Sequence, residues 1–90
     1  MGSARRPQPE RLAAKLREIR LSLGLSQQKM LERLDYQKSP LYVGHISEYE
    51  LGKREPPLPV LLRYAKVARV PLEALVDDQS ELSLPAEISS

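Results

Sequence analysis

Ninety residues without a cysteine suffice for one small domain with a single modest core, and they exclude disulfides and thiolate metal sites. No apolar run approaches the roughly 20 residues of a membrane span, and the two arginines near the start have no apolar segment behind them, so the expected location is the cytoplasm. The formal net charge is only +2, but it is sorted: residues 1–20 carry six Lys/Arg against two Glu, residues 21–76 eight against six acids, and residues 77–90 four acids and no base.

A basic arm, a mildly basic body and an acidic tail suit a polyanion partner at one end. A solvated surface with charges sorted by chance would read the same way. Phe and Trp are absent, so Leu, Ala, Val and Ile must supply most of the core, a palette for packed helices.

In chain order, "ERLAAKLREIRLSLG" spaces Leu12, Leu16, Ile19 and Leu23 along one helical face. Pro9 fits its first turn and Gly24 its C-terminal stop. "LSQQKMLERLD" follows, with Ser26 as N-cap and Met30, Leu31 and Leu34 on one face. This second helix is expected over 26–35. "SPLYVGHISEYELG" offers Ser39 as N-cap and Pro40 at the first helical position, predicting a third helix from about 40 to 51. Tyr42, Ile46 and Tyr49 share its inner face with Glu50 beside them, and Gly52 ends it.

After a proline-rich connector, Leu58, Leu61, Leu62, Ala65 and Ala68 recur at helical spacing. Pro71 interrupts that pattern, and "PLEALV" reads as a short fifth helix with Leu72, Leu75 and Val76 inward. The division expected is a flexible basic arm over 1–8, a folded domain over 9–76, and an acidic, mobile tail over 77–90. The fold class expected is all-α. Two short adjacent helices, the second with an exposed polar face, make a helix-turn-helix.

Three blocks carry a resemblance: "LGLSQ" (Leu23 to Gln27), "ISEYELGKREP" (Ile46 to Pro56) and "LLRYAKVARVPLEAL" (Leu61 to Leu75). The chain resembles the Cro/phage-repressor, or Xre, type of helix-turn-helix domain over about residues 10–76. The middle block fits the pattern I-S-x-Y-E-x-G-x-R-x-P at every fixed position. The resemblance implies a five-helix, lambda-repressor-like domain that binds double-stranded DNA. It also implies a buried ion pair between Arg20 and Glu50. The residues allow that pair independently, because both lie beside apolar stripes and a core-facing charge needs a partner. Two separately exposed side chains are the alternative.

The resemblance further places Gln27 at a DNA phosphate through its backbone N–H, with its side chain bracing the first base contact. Gln28 becomes a base reader, since an amide pairs with adenine N6 and N7. Val43, Gly44, Ser47 and Glu48 point away from the apolar face and match positions that enter the major groove. Val43 suits a thymine methyl, and Glu48 suits cytosine N4. Gly44 exposes backbone there, His45 is a contact candidate, and Lys53 and Arg54 suit phosphate contacts. Arg5 and Arg6 could extend the contact as an arm.

The chain departs from the pattern between the second and third helices, where "YQKSPLY" lengthens a normally short turn. Lys29 stands where the capping-box acid is usual, and Leu31 where a small residue is usual. An early helix start at Ser39–Pro40 would leave Tyr36 to Lys38 as the loop and bring Lys38 and Tyr42 toward DNA.

The leading expectation is a sequence-specific transcriptional regulator, repressor or activator, acting as a homodimer on a palindromic operator through Leu58, Leu72, Leu75 and Val76. For Leu72 and Leu75, completion of the monomer core is an equal reading. The alternative function is a protein-interaction module of antitoxin or coactivator type, with the acidic tail binding a protein partner. An enzyme is not expected: there is one His, no Cys and no Gly-rich phosphate loop. No metal and no cofactor is expected.

Overall fold

The computed structural model describes residues 9–84, which form five helices and no strand. They are α1 (Leu12–Ser22), α2 (Gln27–Leu34), α3 (Val43–Leu51), α4 (Leu58–Ala68) and α5 (Glu73–Val76). The third helix packs against α1 and α2, α4 against α2, and α5 against α1.

Helix α1 buries Leu12, Leu16 and Ile19, as their spacing requires. Pro9 lies ahead of it, and its carbonyl accepts the Leu12 N–H. Gly24, at φ 71°, ends it in a Schellman motif: Gly24 N–H bonds to the Leu21 carbonyl and Leu25 N–H to the Arg20 carbonyl. Helix α2 opens with the Ser26 hydroxyl accepting the Lys29 N–H at 3.1 Å. It ends at Asp35 in the left-handed conformation, with φ 50°. Arg63 of α4 donates through Nε to the Leu34 carbonyl at 2.7 Å, closing the same end.

The expected start of the third helix at Ser39–Pro40 is corrected. Helix α3 begins at Val43 with Tyr42 as an extended N-cap, so the link spans 35–42 rather than 36–38. Two local interactions fix this start. The Tyr42 N–H donates to His45 Nδ1 at 3.0 Å, so His45 performs the capping-box role at the third helical position. Leu41 and Ile46 hold the N′ and N4 places of a hydrophobic staple, and both join the core. An extended link lets Tyr36 and Leu41 both reach that core. Tyr42 itself, expected on the inner face, is 63% exposed.

The inner face of α4 also differs from expectation. Val60, Leu61, Tyr64, Ala65 and Ala68 are buried, whereas Leu58 and Leu62 are exposed. The helix is rotated so that the large Tyr64 fills the centre. Leu75 is wholly enclosed, so it is a core residue and not part of any free surface. Leu72 and Val76 pack partly against the same cluster.

Arg20 and Glu50 join α1 to α3. Arg20 Nε donates to Glu50 Oε2 at 2.7 Å and Nη2 to Oε1 at 3.0 Å, a bidentate pair. Arg20 Nη1 donates to the Leu25 carbonyl at 2.9 Å, and Gln27 Nε2 to Glu50 Oε1 at 3.2 Å. The Glu50 side chain is only 3% exposed. Tyr64 is fully buried on the neighbouring α4, and its hydroxyl has no protein hydrogen-bond partner among the described residues. Burial pushes its phenol well above the usual range.

Residues 77–84, assigned by charge to the tail, return to α1. The Asp78 carboxylate accepts the N–H groups of Glu10 and Arg11 at 2.8 and 3.0 Å, capping the helix start. Lys15 is buried, and its ammonium donates to the carbonyls of Ala74, Asp77 and Ser80 at 2.7, 3.0 and 3.0 Å. All three of its protons are thereby satisfied against the end of α5. Leu82 and Leu84 pack on the core.

Four outcomes are expected. Arg20→Met leaves a buried carboxylate short of its main partner and should cost about 3–5 kcal/mol in urea denaturation. Arg20→Met/Glu50→Leu should cost less than that single change, because no charge is stranded. Tyr64→Phe removes no hydrogen bond, so stability should hold or rise by up to about 1 kcal/mol. The Arg11 and Glu10 N–H groups hold the Asp78 carboxyl below its ordinary range. Its stabilisation is therefore complete above that range and lost as pH falls through the lowered value. Thermal melts of Asp78→Ala should fall short of the parent at neutral pH, and the gap should close in acid.

Candidate nucleic-acid interface

The start of α2, the link 35–42, the outer face of α3 and the corner after Gly52 together form the surface that the sequence singles out. Burial of Ile46 and Tyr49 and the tether on Glu50 fix the rotation of α3. That rotation turns Val43, Gly44, Ser47 and Glu48 outward, with Val43 40% exposed. A Cβ added to Gly44 would meet nothing within 4 Å, so no packing inside the protein demands glycine there. Its bare backbone leaves a notch in the outer face one turn before Glu48.

The two glutamines of α2 differ in role. Gln28 is exposed, with only a 3.4 Å contact to Glu32 on its own helix. Gln27 is half-buried and its amide reaches inward to Glu50. Its side chain braces the ion pair, while its backbone N–H sits in the first turn, where no intrahelical acceptor exists. The helix start therefore presents N–H groups outward on a rigid mount.

His45 is similarly engaged. Its Nδ1 accepts the Tyr42 N–H, and its ring lies between Tyr42 and Tyr49 at centroid distances of 5.6 and 6.3 Å. The ring orders the entrance to α3. Tyr42 and Lys38 are both exposed, as are Lys53 and Arg54.

Arg54 is not idle in the free protein. Its Nε donates to Glu48 Oε1 at 2.6 Å. The turn at Gly52, at φ 75°, makes this possible by folding the chain back, with Lys53 N–H on the Glu48 carbonyl at 2.9 Å. The Arg54 guanidinium holds the Glu48 carboxyl below its ordinary range. Residues six apart do not meet on a helix, so no periodicity marks this pair. The Lys15 and Asp78 clamps on α1 also escaped the sequence reading, because their partners lie about sixty or more residues away.

The basic arm over 1–8, with Arg5 and Arg6, lies outside the described residues, as does the tail beyond 84. Among the described residues no group of His, Cys, Asp and Glu could hold a metal ion, and no helix is long and apolar enough to cross a membrane. No curated protein and no solved structure matches the chain.

A family model described as helix-turn-helix matches residues 16–75, two thirds of the chain. The match runs from Leu16 in the buried face of α1 to the enclosed Leu75 of α5, and so takes in the Arg20–Glu50 pair and the whole of α3. That family is one of DNA-binding regulatory domains and is not typically enzymatic. The chain belongs to the Cro/C1-type, Xre-like helix-turn-helix family.

Proposed function

We propose that this chain is a sequence-specific, double-stranded DNA-binding transcriptional regulator that lays α3 in the major groove. The observation that carries this reading is the fixed rotation of α3. Its apolar side and Glu50 are locked to α1 and α2, while Val43, Gly44, Ser47 and Glu48 form an open outer strip. An α-helix fits the major groove, and side chains on one such strip can reach base edges. Gln28 stands beside this strip at the start of α2, whose N–H groups suit a phosphate. Lys53 flanks the other end as a phosphate contact, and Lys38 and Tyr42 on the link extend the surface.

One helix of this length reads few bases, and a second copy doubles the site. Leu58 and Leu62 are 57% and 44% exposed and lie one turn apart on α4, giving a second copy an apolar strip. Of the other apolar candidates, Leu72 and Val76 retain partial exposure.

Selection of bound duplexes from a random pool tests the reading. A palindromic consensus is the expected result. On that duplex, Lys53→Ala should weaken binding without changing base preference and should reduce the log–log salt slope by about one unit. Absence of any enriched duplex would overturn the reading in favour of a protein-interaction module of antitoxin or coactivator type.

A further inference from the structure

We propose that Glu48 and Arg54 act as one base-reading unit, in which the Glu48 carboxylate accepts from the exocyclic amine of a cytosine and Arg54 positions and neutralises it. This rests on the DNA-binding reading above. It gives Arg54 a different task from the phosphate contact that the sequence pattern implies.

A lone carboxylate on a DNA-facing strip would be repelled by the phosphates. Here the guanidinium of Arg54 lies 2.6 Å from it, so the pair approaches DNA with no net charge. The pairing is built into the fold and not left to chance encounter. Gly52 reverses the chain, the Lys53 N–H bonds to the carbonyl of Glu48 itself, and Arg54 then falls beside the Glu48 side chain. Backbone and side chain of one residue are thus both held by the segment that follows α3.

The bond uses Nε of Arg54 and Oε1 of Glu48. The second oxygen, Oε2, has no hydrogen-bond partner among the described residues. The side chain of Glu48 is 42% exposed and that of Arg54 55%, so the pair stands open on the outer face. One turn earlier, a Cβ added to Gly44 would meet nothing within 4 Å, so the strip is open at that point.

The chemistry of the acceptor selects the base. With Arg54 favouring its ionised form, the Glu48 carboxylate donates nothing. In the major groove guanine presents two acceptors and thymine one acceptor with a methyl group, and each repels a carboxylate. Adenine offers its amine beside the N7 acceptor, whereas cytosine offers its amine alone. A carboxylate at this position therefore favours a C·G pair.

The test uses the full chain and its selected duplex, with each of the four base pairs placed at the position nearest Glu48. Binding is measured by fluorescence anisotropy at several salt concentrations for the parent, Glu48→Gln, Arg54→Ala, Arg54→Lys and the double variant Glu48→Gln/Arg54→Ala. Thermal melts confirm that each variant is folded, as expected for exposed side chains. The parent should favour cytosine by about tenfold or more. Glu48→Gln should shift the preference toward adenine, which an amide pairs bidentately. Arg54→Ala should lose most of the cytosine preference, and Arg54→Lys should retain part of it. The double variant should lose no more discrimination than the larger single loss.

A uniform loss for Arg54→Ala on all four duplexes, with the salt slope reduced by about one unit, would overturn the proposal and leave Arg54 a phosphate contact. An unchanged base preference in Glu48→Gln would overturn it equally. Either result would leave DNA binding itself standing, whereas failure to select any duplex would remove both.

Discussion

Glu50 is almost completely enclosed, and three donors converge on its carboxylate: Nε and Nη2 of Arg20 and the amide of Gln27. An enclosed carboxylate without such partners would cost several kcal/mol, so the arrangement is tightly specified once it forms. Its reach exceeds the pair. Arg20 accepts the Leu25 N–H at its backbone carbonyl and donates from its guanidinium to the Leu25 carbonyl. The turn between α1 and α2 is held at both polar groups of one residue. Gln27 then ties the start of α2 to α3. Three helices are set in mutual orientation by one charged centre, and the rotation of α3 follows from it.

That rotation gives the outer strip its meaning. The same helix carries Glu50 inward and Glu48 outward, and the two carboxylates meet opposite fates. Glu50 is paired across the core, where its role is to orient. Glu48 is paired at the surface with Arg54, where one oxygen remains to accept. The left-handed turn at Gly52 serves both, because it ends α3 after Glu50 and returns Arg54 to Glu48.

A second set of long-range contacts closes the domain from the other side. Asp78 caps the start of α1, and Lys15 caps the end of α5 through three carbonyls. These contacts extend the folded unit to residues that the charge distribution assigned elsewhere. They leave the outer strip of α3 untouched, since they join α1 and the residues just before it to α5 and the segment after it.

The sequence by itself determined the helix count, the caps at Ser26, Gly24 and Gly52, and the core faces of α1 and α2, because each depends on neighbours within about one turn. Through the ordered block Ile46 to Pro56 it also carried the family, and with it the pairing of Arg20 and Glu50. The opening of α3 was partly legible: Leu41 and His45 form a staple and a cap, but Ser39–Pro40 is the more familiar start signal and outweighed them. Only the tertiary structure decided the rotation of α4, which exposes Leu58 and Leu62 and buries Val60 and Tyr64. Only it joined Lys15 and Asp78 to opposite ends of the chain, and Glu48 to Arg54 across a turn. These contacts follow no helical period. Their partners are chosen by where whole helices come to rest, which a local pattern of residues does not encode.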